Sequence, residues 1–555
     1  MVKILNDAVT RLVATPQELQ GLSGGYDGAK RFDQQLQAWN PALRSADAEI
    51  LPEKYMLDAR SRDVTRNDAL VQGGGTVHKD SIVGGMFMLN AKPKHALFPD
   101  GMDADWAEEF QQEVEPLFTL WAESPMNYVD AARRNDFTSM IRLAVGVQAV
   151  GGEFLAVAEW IERQDREFKT AIKLVDTDRL STPFDMVWDP AVRAGIRHGV
   201  HGEPVTAYIR KAHPHDYQML HAYDGMFWKA VRFYKPWGRQ QVIYLAEQTR
   251  VEQTRAVADM VSALKEIAIT KRFRDVTLQN AVVNAMYAAT IESELPSDVV
   301  YQQMGAGKTG QAVTSYAQNY LGAVAEYLNQ GSKIQIDGVK VPHLFPGTKL
   351  NMRPAGTPGG VGQDFEVSLL RYIAASLNIS YEELSRDYSK TNYSSARAAL
   401  NQSWKFMRSR KRLIADRLAN SIYRLWLEEA IWQNRLTTFP ASKASMLYTN
   451  GHLNLAFDAL AHADWIGASR GQIDELKETQ AAVLRIKYGL STHEDELSRL
   501  GKDWRQVFEQ LEREKKELRE RNIMLEEDDN MMNAASGSPR DSNEGAGTER
   551  DADEG

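Results

Sequence analysis

The sequence predicts a helix-rich α+β protein. Long stretches without Gly or Pro carry apolar residues at the spacing of one helix face, and the clearest of them covers 396–439. Between 137 and 244, short apolar runs alternate with Asp and Pro, as strands separated by turns do. At 555 residues the chain exceeds the size that one hydrophobic core usually serves, so we expect several structural regions.

Composition and charge restrict the class of protein. The chain has no cysteine, which excludes disulfides, thiolate metal sites and a thiol nucleophile. No apolar run is long enough to span a bilayer, so we expect no membrane partner. The formal net charge is −9, and residues 526–555 contribute −8 of it, which leaves the rest close to neutral. A protein that grips DNA generally is clearly basic, so any contact with DNA must come from local patches.

The first ninety residues predict an arm followed by a helix and a strand. Residues 1–50 have the pattern of an N-terminal arm, with a short helix, a Gly-rich link and the sequence WNP at 39–41. A polar helix is predicted from Ala59 to the glycine triplet at 73–75. The apolar run at 82–89 that follows predicts a strand.

The region from 104 to 245 combines two helices with short strands. Residues 104–122 predict a helix whose large apolar residues share one face. They are Trp106, Phe110, Val114, Phe118 and Trp121. A second helix is predicted over 138–150, and four strands are predicted at 154–157, 170–175, 205–209 and 241–245.

A small insert separates two amphipathic helices in the next part of the chain. The first helix is predicted over 259–293 and stops at Pro296. Residues 333–341 follow as two short strands joined by an Asp-Gly pair, which is a good hairpin signal. The second helix is predicted over 365–377. Each helix has one apolar stripe and one polar side, which suits packing side by side around a wet interior.

A polar connection at 385–395 leads into the longest helix. The connection is too rich in Ser, Asn and Asp to be a helix interior. The helix that follows places seven apolar residues on one stripe at about 100° per residue. They are Leu400, Trp404, Met407, Ile414, Leu418, Ile422 and Leu425.

Four cations lie beside that stripe in a sector of roughly 80°. They are Arg397, Lys405, Arg408 and Arg412. Two interpretations of this basic face remain open. It is either an ordinary solvated face, or a face near nucleic acid phosphate or near acidic neighbours.

The C-terminal part returns to mixed structure after Pro440. Residues 473–488 predict a helix, and the sequence LST at 490–492 predicts the N-cap of another. From 503 to 527 apolar residues repeat every seven positions amid dense charge, a stripe suited to helix–helix contact. The Gly, Ser and acids of 530–555 predict disorder.

Short segments spread along the sequence, from near residue 39 to near residue 500, match one known family in the same order. The longest is SLLRYIAASLNISYEELS at 368–385, followed by YSSAR at 393–397 and WLEEAI at 426–431. The other segments lie at 39–41, 59–63, 281–294, 340–344, 465–467 and 473–477. Together they closely resemble the lambda-like family of phage portal proteins. The resemblance covers most of the chain and implies a portal fold, assembled as a ring of commonly twelve copies at one capsid vertex.

The resemblance also implies a division of the chain into regions. In chain order they are an N-terminal arm (1–50), an α+β wing (51–258), stem helix 1 (259–293), the clip (294–362), stem helix 2 (363–379), the tunnel loop (380–395), a long basic amphipathic helix (396–436), a wing return (437–475), crown helices (476–527) and a disordered acidic tail (528–555). Five residues fall where the tunnel loop of the family would lie, and we expect them to face the bore. They are Arg386, Asp387, Tyr388, Lys390 and Tyr393.

Portal function is therefore the main hypothesis. The resemblance implies a channel for double-stranded DNA during packaging and ejection, in the virion after assembly in the host cytoplasm. It implies as partners the terminase large subunit, a head-completion or adaptor protein, and the major capsid and scaffold proteins. We expect no cofactor, no metal and no catalysis, since no group of side chains has the residue types of a known active site.

Two other hypotheses differ in class. A nucleic-acid-processing enzyme built around the basic helix 396–424 predicts activity with a divalent metal and a discrete acidic cluster near that helix. A scaffold or capsid shell protein is disfavoured by the two amphipathic helices that bracket an insert.

Four motifs invite a chemical interpretation that their surroundings do not support. The string GAGKT at 305–309 lacks the glycine that a phosphate loop needs five residues before its Gly-Lys pair. The string GLSGG at 21–25 follows no predicted core strand, as a nucleophile elbow requires. The sequence HPH at 213–215, with His221 beyond, is more typical of a surface turn than of a metal site. His493 lacks the second histidine of a zinc helix.

Overall fold

The helices and strands belong to two separate units of the chain. The computed structural model describes residues 34–36, 38–98, 102–216, 224–286, 333–336, 339–342, 361–389, 392–469 and 475–521. Unit 1 spans Met1–Trp465 and unit 2 spans Ile466–Gly555. Among these described residues, no helix is both long and apolar enough to cross a membrane.

Two helices come first in the described part of unit 1, and the second passes through the glycine triplet. Helix α1 is Ala46–Asn67, so the predicted arm of 1–50 overlaps its first turn. Helix α2 is Ala69–Ile82, and the predicted helix end at 73–75 is therefore wrong. A Cβ on Gly74 would lie 2.9 Å from a side-chain carbon of Leu377, so this glycine allows close packing rather than ending the helix. The strand predicted at 82–89 begins later, because the first half of that run completes α2 and the turn after it.

The next two helices agree with the sequence predictions. Helix α3 is Ala104–Ala122, and all five predicted apolar residues of its face are buried. Helix α4 is Phe137–Gly151, where Asp136 accepts a hydrogen bond from the Ser139 amide as the N-cap. Strand β1, Met88–Ala91, precedes α3.

Two antiparallel sheets follow, and they contain the four predicted strands. The first sheet has the order β3-β2-β8, and the second has the order β4-β5-β6-β7. The strands are β2 (Glu153–Trp160), β3 (Thr170–Val175), β4 (Val192–Arg193), β5 (Ile196–His198), β6 (Pro204–Arg210), β7 (Trp228–Arg232) and β8 (Val242–Ala246).

A buried charged network joins α1 to the first sheet. The guanidinium of Arg255 donates to both carboxylate oxygens of Glu153, which also lies 3.4 Å from the ammonium of Lys54. The same ammonium pairs with Asp58 at 2.9 Å. Burial raises the pKa of Glu153, but the nearby Arg255 outweighs it, so the net pKa is lowered. These pairs fix α1 against the sheet, since a buried charge without its partner is strongly unfavourable.

The two predicted stem helices pack against each other. A 3₁₀ turn, Asp259–Ala263, precedes helix α5, Leu264–Met286, and the remainder of the predicted helix to 293 lies outside the described residues. Helix α6 is Val361–Ser376. The rings of Phe273 and Phe365 meet at 5.8 Å, and the guanidinium of Arg274 donates to Glu366 at 2.6 Å.

The described part of the predicted clip is a hairpin. Strands β9 (Lys333–Ile336) and β10 (Val339–Pro342) are antiparallel, with Ile336 opposite Val339, as the Asp-Gly pair between them predicts. Nearly all other residues of 294–362, including the GAGKT string, lie outside the described part of the chain.

The longest helix is continuous but irregular. Helix α7 (Tyr381–Ser385) and a short loop lead into α8 (Tyr393–Arg410). A π-helical turn, Lys411–Ala415, joins α8 to α9 (Asp416–Trp432). The predicted apolar stripe is fully buried from Met407 onward, whereas Leu400 and Trp404 are half-buried.

The end of unit 1 returns to the first strand. A 3₁₀ helix at Ala441–Leu447 is followed by β11 (Tyr448–Thr449), β12 (His452–Leu453), helix α10 (Leu455–Leu460) and β13 (Ala463–Ile466). Strand β13 pairs with β1. A chain segment beyond 440 thus completes structure that begins before residue 100.

The described part of unit 2 contains three helices. They are α11 (Glu475–Lys487), α12 (His493–Arg499) and α13 (Trp504–Glu520). Thr492 caps α12 by accepting a hydrogen bond from the Asp495 amide, as predicted. Hydrogen bonds from Arg485 at 2.7 and 2.8 Å lower the pKa of Glu496 to about 2. The acidic tail predicted at 528–555 lies outside the described residues.

Candidate nucleic-acid interface

The connection between α6 and α8 is held by hydrogen bonds at its base. Ser380 and Glu383 form a reciprocal cap, in which each side chain accepts from the backbone amide of the other, at 3.2 and 2.9 Å. The carboxylate of Glu383 also accepts from the hydroxyl of Ser403 in α8 at 2.6 Å. Helix α7 is therefore tied both to its own start and to the long helix.

The described loop between α7 and α8 presents polar side chains to solvent. Arg386, Asp387 and Tyr388 are all exposed. Arg386 has φ of +56°, a left-handed conformation that turns the chain at the end of α7, and its amide donates to the Glu382 carbonyl at 2.8 Å. Asp387 accepts from the Ser389 amide at 3.0 Å. Burial, then the charges of two nearby glutamates, raises the pKa of Tyr388, so its hydroxyl stays protonated at neutral pH.

The predicted tunnel loop at 380–395 is shorter than expected. Helix α7 takes its first residues, and Tyr393 is the first residue of α8 rather than part of the loop. The Asn392 side chain explains this boundary, because it accepts a hydrogen bond from the Ser395 amide at 2.9 Å and so caps α8. Lys390 lies outside the described residues.

The four predicted cations of the basic face are all exposed. Among the described residues, no acidic side chain pairs with any of them. They are Arg397, Lys405 and Arg408 on α8, and Arg412 in the π-helical turn. An unpaired cation on a helix surface is free to contact phosphate or an acidic group of another molecule.

Arg410, two residues before the last cation of this face, has a different environment. It is only 4% exposed, and its guanidinium pairs with Glu247 at 3.0 Å and with Asp259. It also lies 4.9 Å from the centre of the Phe406 ring. Because Asp259 begins the turn that leads into α5, Arg410 fastens the long helix to the start of α5.

The π-helical turn that follows is held by Lys411. Its ammonium donates to Asp416 at 2.7 Å and to the Trp465 carbonyl at 2.9 Å, and it lies 5.1 Å from the centre of the Phe87 ring. Burial raises the pKa of Asp416, with the charge of Lys411 opposing that effect. The extra residue of a π turn changes the direction in which side chains point. Here it separates the exposed α8 from the buried α9.

Helix α9 is fixed by an aromatic core. Trp426 is fully buried, with ring centres of Phe118 at 5.3 Å and Phe168 at 5.4 Å. Tyr423 lies 6.2 Å away on the same helix. Such edge-to-face and offset pairs add to the burial of large rings, so this half of the helix is a rigid support.

A buried histidine connects the end of α6 to α2. Nε2 of His78 lies 2.8 Å from the Leu377 carbonyl oxygen. Because a carbonyl only accepts, that nitrogen carries the hydrogen. Burial lowers the pKa of His78, which keeps the ring neutral near pH 7. The loop that carries Arg386 thus begins from a fixed helix end.

One group of side chains has the composition of a metal site. Asp176, Asp178 and His213 bring ligand atoms within 4.8 Å of one another. The guanidinium of Arg62 donates to both carboxylates, at 3.4 Å to Asp176 and 2.8 Å to Asp178. Arg62 therefore already supplies positive charge to this cluster, and His213 of the HPH string lies at hydrogen-bond distance from Asp178, 3.1 Å.

Sequence reasoning did not single out Arg410, and its burial was missed. A signal was present, since Arg410 lies three residues after Met407 and four before Ile414, on the buried stripe itself. A cation buried at such a position needs acidic partners.

The comparisons with known proteins agree with the resemblance. The model of the lambda family of phage portal proteins matches residues 32–411. The portal protein of Escherichia phage N15 and portal protein B of Escherichia phage lambda are each 35% identical over 504 residues, which is 90% of this chain and 91% of each relative. A probable portal protein of Halomonas phage phiHAP-1 is 21% identical over 496 residues, covering 85% of this chain and 83% of that relative.

Solved structures give a weaker likeness. A chain from the virion of a native gene transfer agent particle aligns with a TM-score of 0.36 and 10% identity, over 79% of this chain and 89% of that chain. A chain from the neck of that native particle, computed with C12 symmetry, aligns with a TM-score of 0.35, 10% identity and the same two coverages. The family match and the 35% identity over nine-tenths of the sequence confirm the resemblance. This chain belongs to the lambda family of phage portal proteins.

Proposed function

We propose that this chain assembles into a ring, of twelve copies, at one vertex of a phage capsid, and that double-stranded DNA enters and leaves the particle through its centre. The observation that carries the proposal is the 35% identity over 504 residues to two portal proteins. The packed pair of α5 and α6 supports it, because one-sided helices packed side by side suit a wall around a wet interior.

DNA contact is proposed for the basic face and the loop before it. The exposed, unpaired Arg397, Lys405 and Arg408 on α8 support this, together with Arg386 at the loop. Contacts between cations and phosphates are independent of sequence and weaken with salt. A few such contacts on a nearly neutral body hold DNA loosely, which suits a passage through which DNA slides. Lys390 and Tyr393 are proposed to share this role.

The remaining partners are proposed from the family. We place the docking of the terminase large subunit and of a head-completion or adaptor protein on the clip, 294–362. The major capsid and scaffold proteins then contact the outside of the ring. Assembly takes place in the host cytoplasm, and the ring remains in the virion.

The alternative of a nucleic-acid-processing enzyme is not supported. The relatives are portal proteins, which have a structural role. The acids that lie near α8, namely Glu247, Asp259 and Glu383, are each engaged by Arg410 or by Ser403. Within the described part of the chain, they do not form the open acidic cluster that this hypothesis predicts.

Substitution of the loop cations tests the proposal. Arg386→Ala combined with Lys390→Ala is expected to leave rings intact in negative-stain images while the amount of DNA in assembled particles falls. The matched control is Arg134→Ala combined with Lys173→Ala, two exposed cations of unit 1 that belong neither to the loop nor to the basic face. Unchanged genome content in the loop variant would contradict the placement of this loop in the channel. A purified wild-type chain that stays monomeric at every concentration would refute the ring.

A further inference from the structure

A rigid turn in the wing displays one tryptophan to solvent. Trp188 is 93% exposed, and it lies in a turn at 183–189 that we call the Trp188 turn. The turn is fixed by hydrogen bonds from the Met186 amide to the Pro183 carbonyl at 3.0 Å and from the Asp189 amide to the Met186 carbonyl at 3.1 Å. Because the backbone that carries Trp188 is already ordered, less conformational entropy is lost when the side chain binds, so this turn resembles an interface anchor.

The Trp188 turn is attached to the first residue of β7. The ring of Phe184 meets that of Trp228 at 4.9 Å, and the guanidinium of Arg210 stacks on Trp228 at 4.5 Å. Arg210 also donates to the Gly225 carbonyl at 2.9 Å. The base of the turn is therefore built into the sheet, while its tip is left uncovered.

A cleft beyond the other end of β7 exposes three more tryptophans. Trp160, Trp237 and Trp432 are 52%, 40% and 57% exposed, and they line a space of about 830 Å³ that we call the aromatic cleft. Their indole N–H groups already donate hydrogen bonds, to Glu162, Glu428 and Tyr448 respectively, each at 3.1 Å. The three tryptophans therefore offer a partner the surfaces of their rings rather than free hydrogen-bond donors. A space of this size is ample for one indole with its neighbours.

The free charges beside the two features have opposite sign. Asp185, in the Trp188 turn, is exposed and has no partner among the described residues. Lys235, on the rim of the aromatic cleft, likewise has no side-chain partner in the described part of the chain. The indole N–H of Trp188 is also unpaired there, and Gln240 and Gln433 in the cleft carry amide oxygens that accept hydrogen bonds.

We propose that the Trp188 turn of one copy seats in the aromatic cleft of the next copy, with Asp185 facing Lys235. This inference rests on the ring proposed above. A ring is closed by heterologous contacts, in which two different surfaces of the chain meet. The two features suit that requirement, because one lies at the start of β7 and the other follows its end. A strand of this length spans on the order of 15 Å.

Cross-linking provides a direct test, because the natural chain has no cysteine. Chains carrying Asp185→Cys are mixed with chains carrying Lys235→Cys, assembled into rings, and treated with a short bis-maleimide. We expect covalent dimers in the mixture and none from either chain alone. Rings that form normally but give no dimers in the mixture would overturn this interface and leave the ring itself standing. A mixture that never forms rings, with the wild type failing as well, would refute the proposed function.

Substitution measures the contribution of the anchor. Trp188→Ala is expected to raise the subunit concentration at half-assembly about ten-fold or more, as loss of a buried aromatic anchor does. Val251→Ala, at a position 90% exposed elsewhere in the wing, is the control and should not shift it. Thermal unfolding of both variants should match the wild type. Asp185→Lys and Lys235→Asp should each weaken assembly and together restore it, and a charge swap without recovery would contradict the pairing.

Discussion

The two halves of the longest helix share a helical backbone conformation but have opposite surroundings. Helix α8 carries exposed cations without partners among the described residues, whereas α9 is buried among the aromatic rings of the core. The π-helical turn Lys411–Ala415 lies between them. One end of the helix is thus packed in the core, and the other end exposes positive charge. The position of the charge on α8 is defined because α9 is packed into the aromatic core.

The largest expected effect on stability comes from removing Trp426, the buried ring of α9. Trp426→Ala should lower the free energy of unfolding by about 3–5 kcal/mol, since it removes a fully buried ring and leaves a cavity. Chemical denaturation measures the change. Trp432→Ala is the matched control, because that ring is 57% exposed, and it should lower the free energy by about 1 kcal/mol or less. Equal losses in the two variants would contradict the division of the helix.

A smaller loss of stability is expected at the junction between α8 and α9, which comprises Arg410 and the π-helical turn after it. Arg410→Ala should lower the free energy of unfolding by about 2 kcal/mol, because Glu247 and Asp259 lose a buried partner but are themselves partly exposed to water. Arg408→Ala, two positions away and exposed, should change it by less than about 0.5 kcal/mol. Urea unfolding of the two variants side by side distinguishes them, and a harmless Arg410→Ala would show that the salt bridges are not needed to hold α8.

The pH dependence of stability tests the burial of Asp416 at this junction. Burial raises the pKa of Asp416 above its ordinary value of 3.8, so the folded state binds this proton more tightly than the unfolded state. The free energy of unfolding of the wild type, relative to Asp416→Asn, should therefore rise as the pH falls from neutral through the folded pKa, and should level off below 3.8. A difference between the two proteins that stays flat from pH 7 to 3.5 would show that Asp416 is not buried as described.

The smallest effect on stability is expected from the basic face. Replacing Arg397, Lys405, Arg408 and Arg412 together by Ala should change the free energy of unfolding by less than about 1 kcal/mol, since all four are exposed and none forms an ion pair within the described residues. The same variant should bind DNA fragments more weakly, with a shallower dependence of affinity on salt. A large loss of stability would mean that these cations pair within the chain. An unchanged salt dependence of DNA affinity would show that they do not contact DNA phosphates.

The sequence predicted those elements whose signal is local. The face of α3 was predicted residue by residue, because a helix with one buried side repeats its apolar residues every three or four positions. The cap at Thr492 and the β9–β10 hairpin also depend on neighbouring residues only. The positions of these elements were therefore readable without any knowledge of the fold.

The features that the sequence did not predict depend on distant contacts. The glycine triplet looks like a helix end, and only the packing of Leu377 against Gly74 shows why α2 continues. The burial of Arg410 requires Glu247 and Asp259, more than 150 positions earlier in the chain. The exposure of the basic face was compatible with the sequence, but its role depends on where neighbouring copies place it.

A cryo-EM reconstruction of the assembled ring tests most directly whether α8 faces the channel. We expect Arg386–Tyr388 and the exposed cations of α8 to line the bore, and Trp426 to lie within the wall of the same subunit. A ring in which α8 faces the outer surface, or in which its cations pair with acids of the adjacent copy away from the channel, would contradict it.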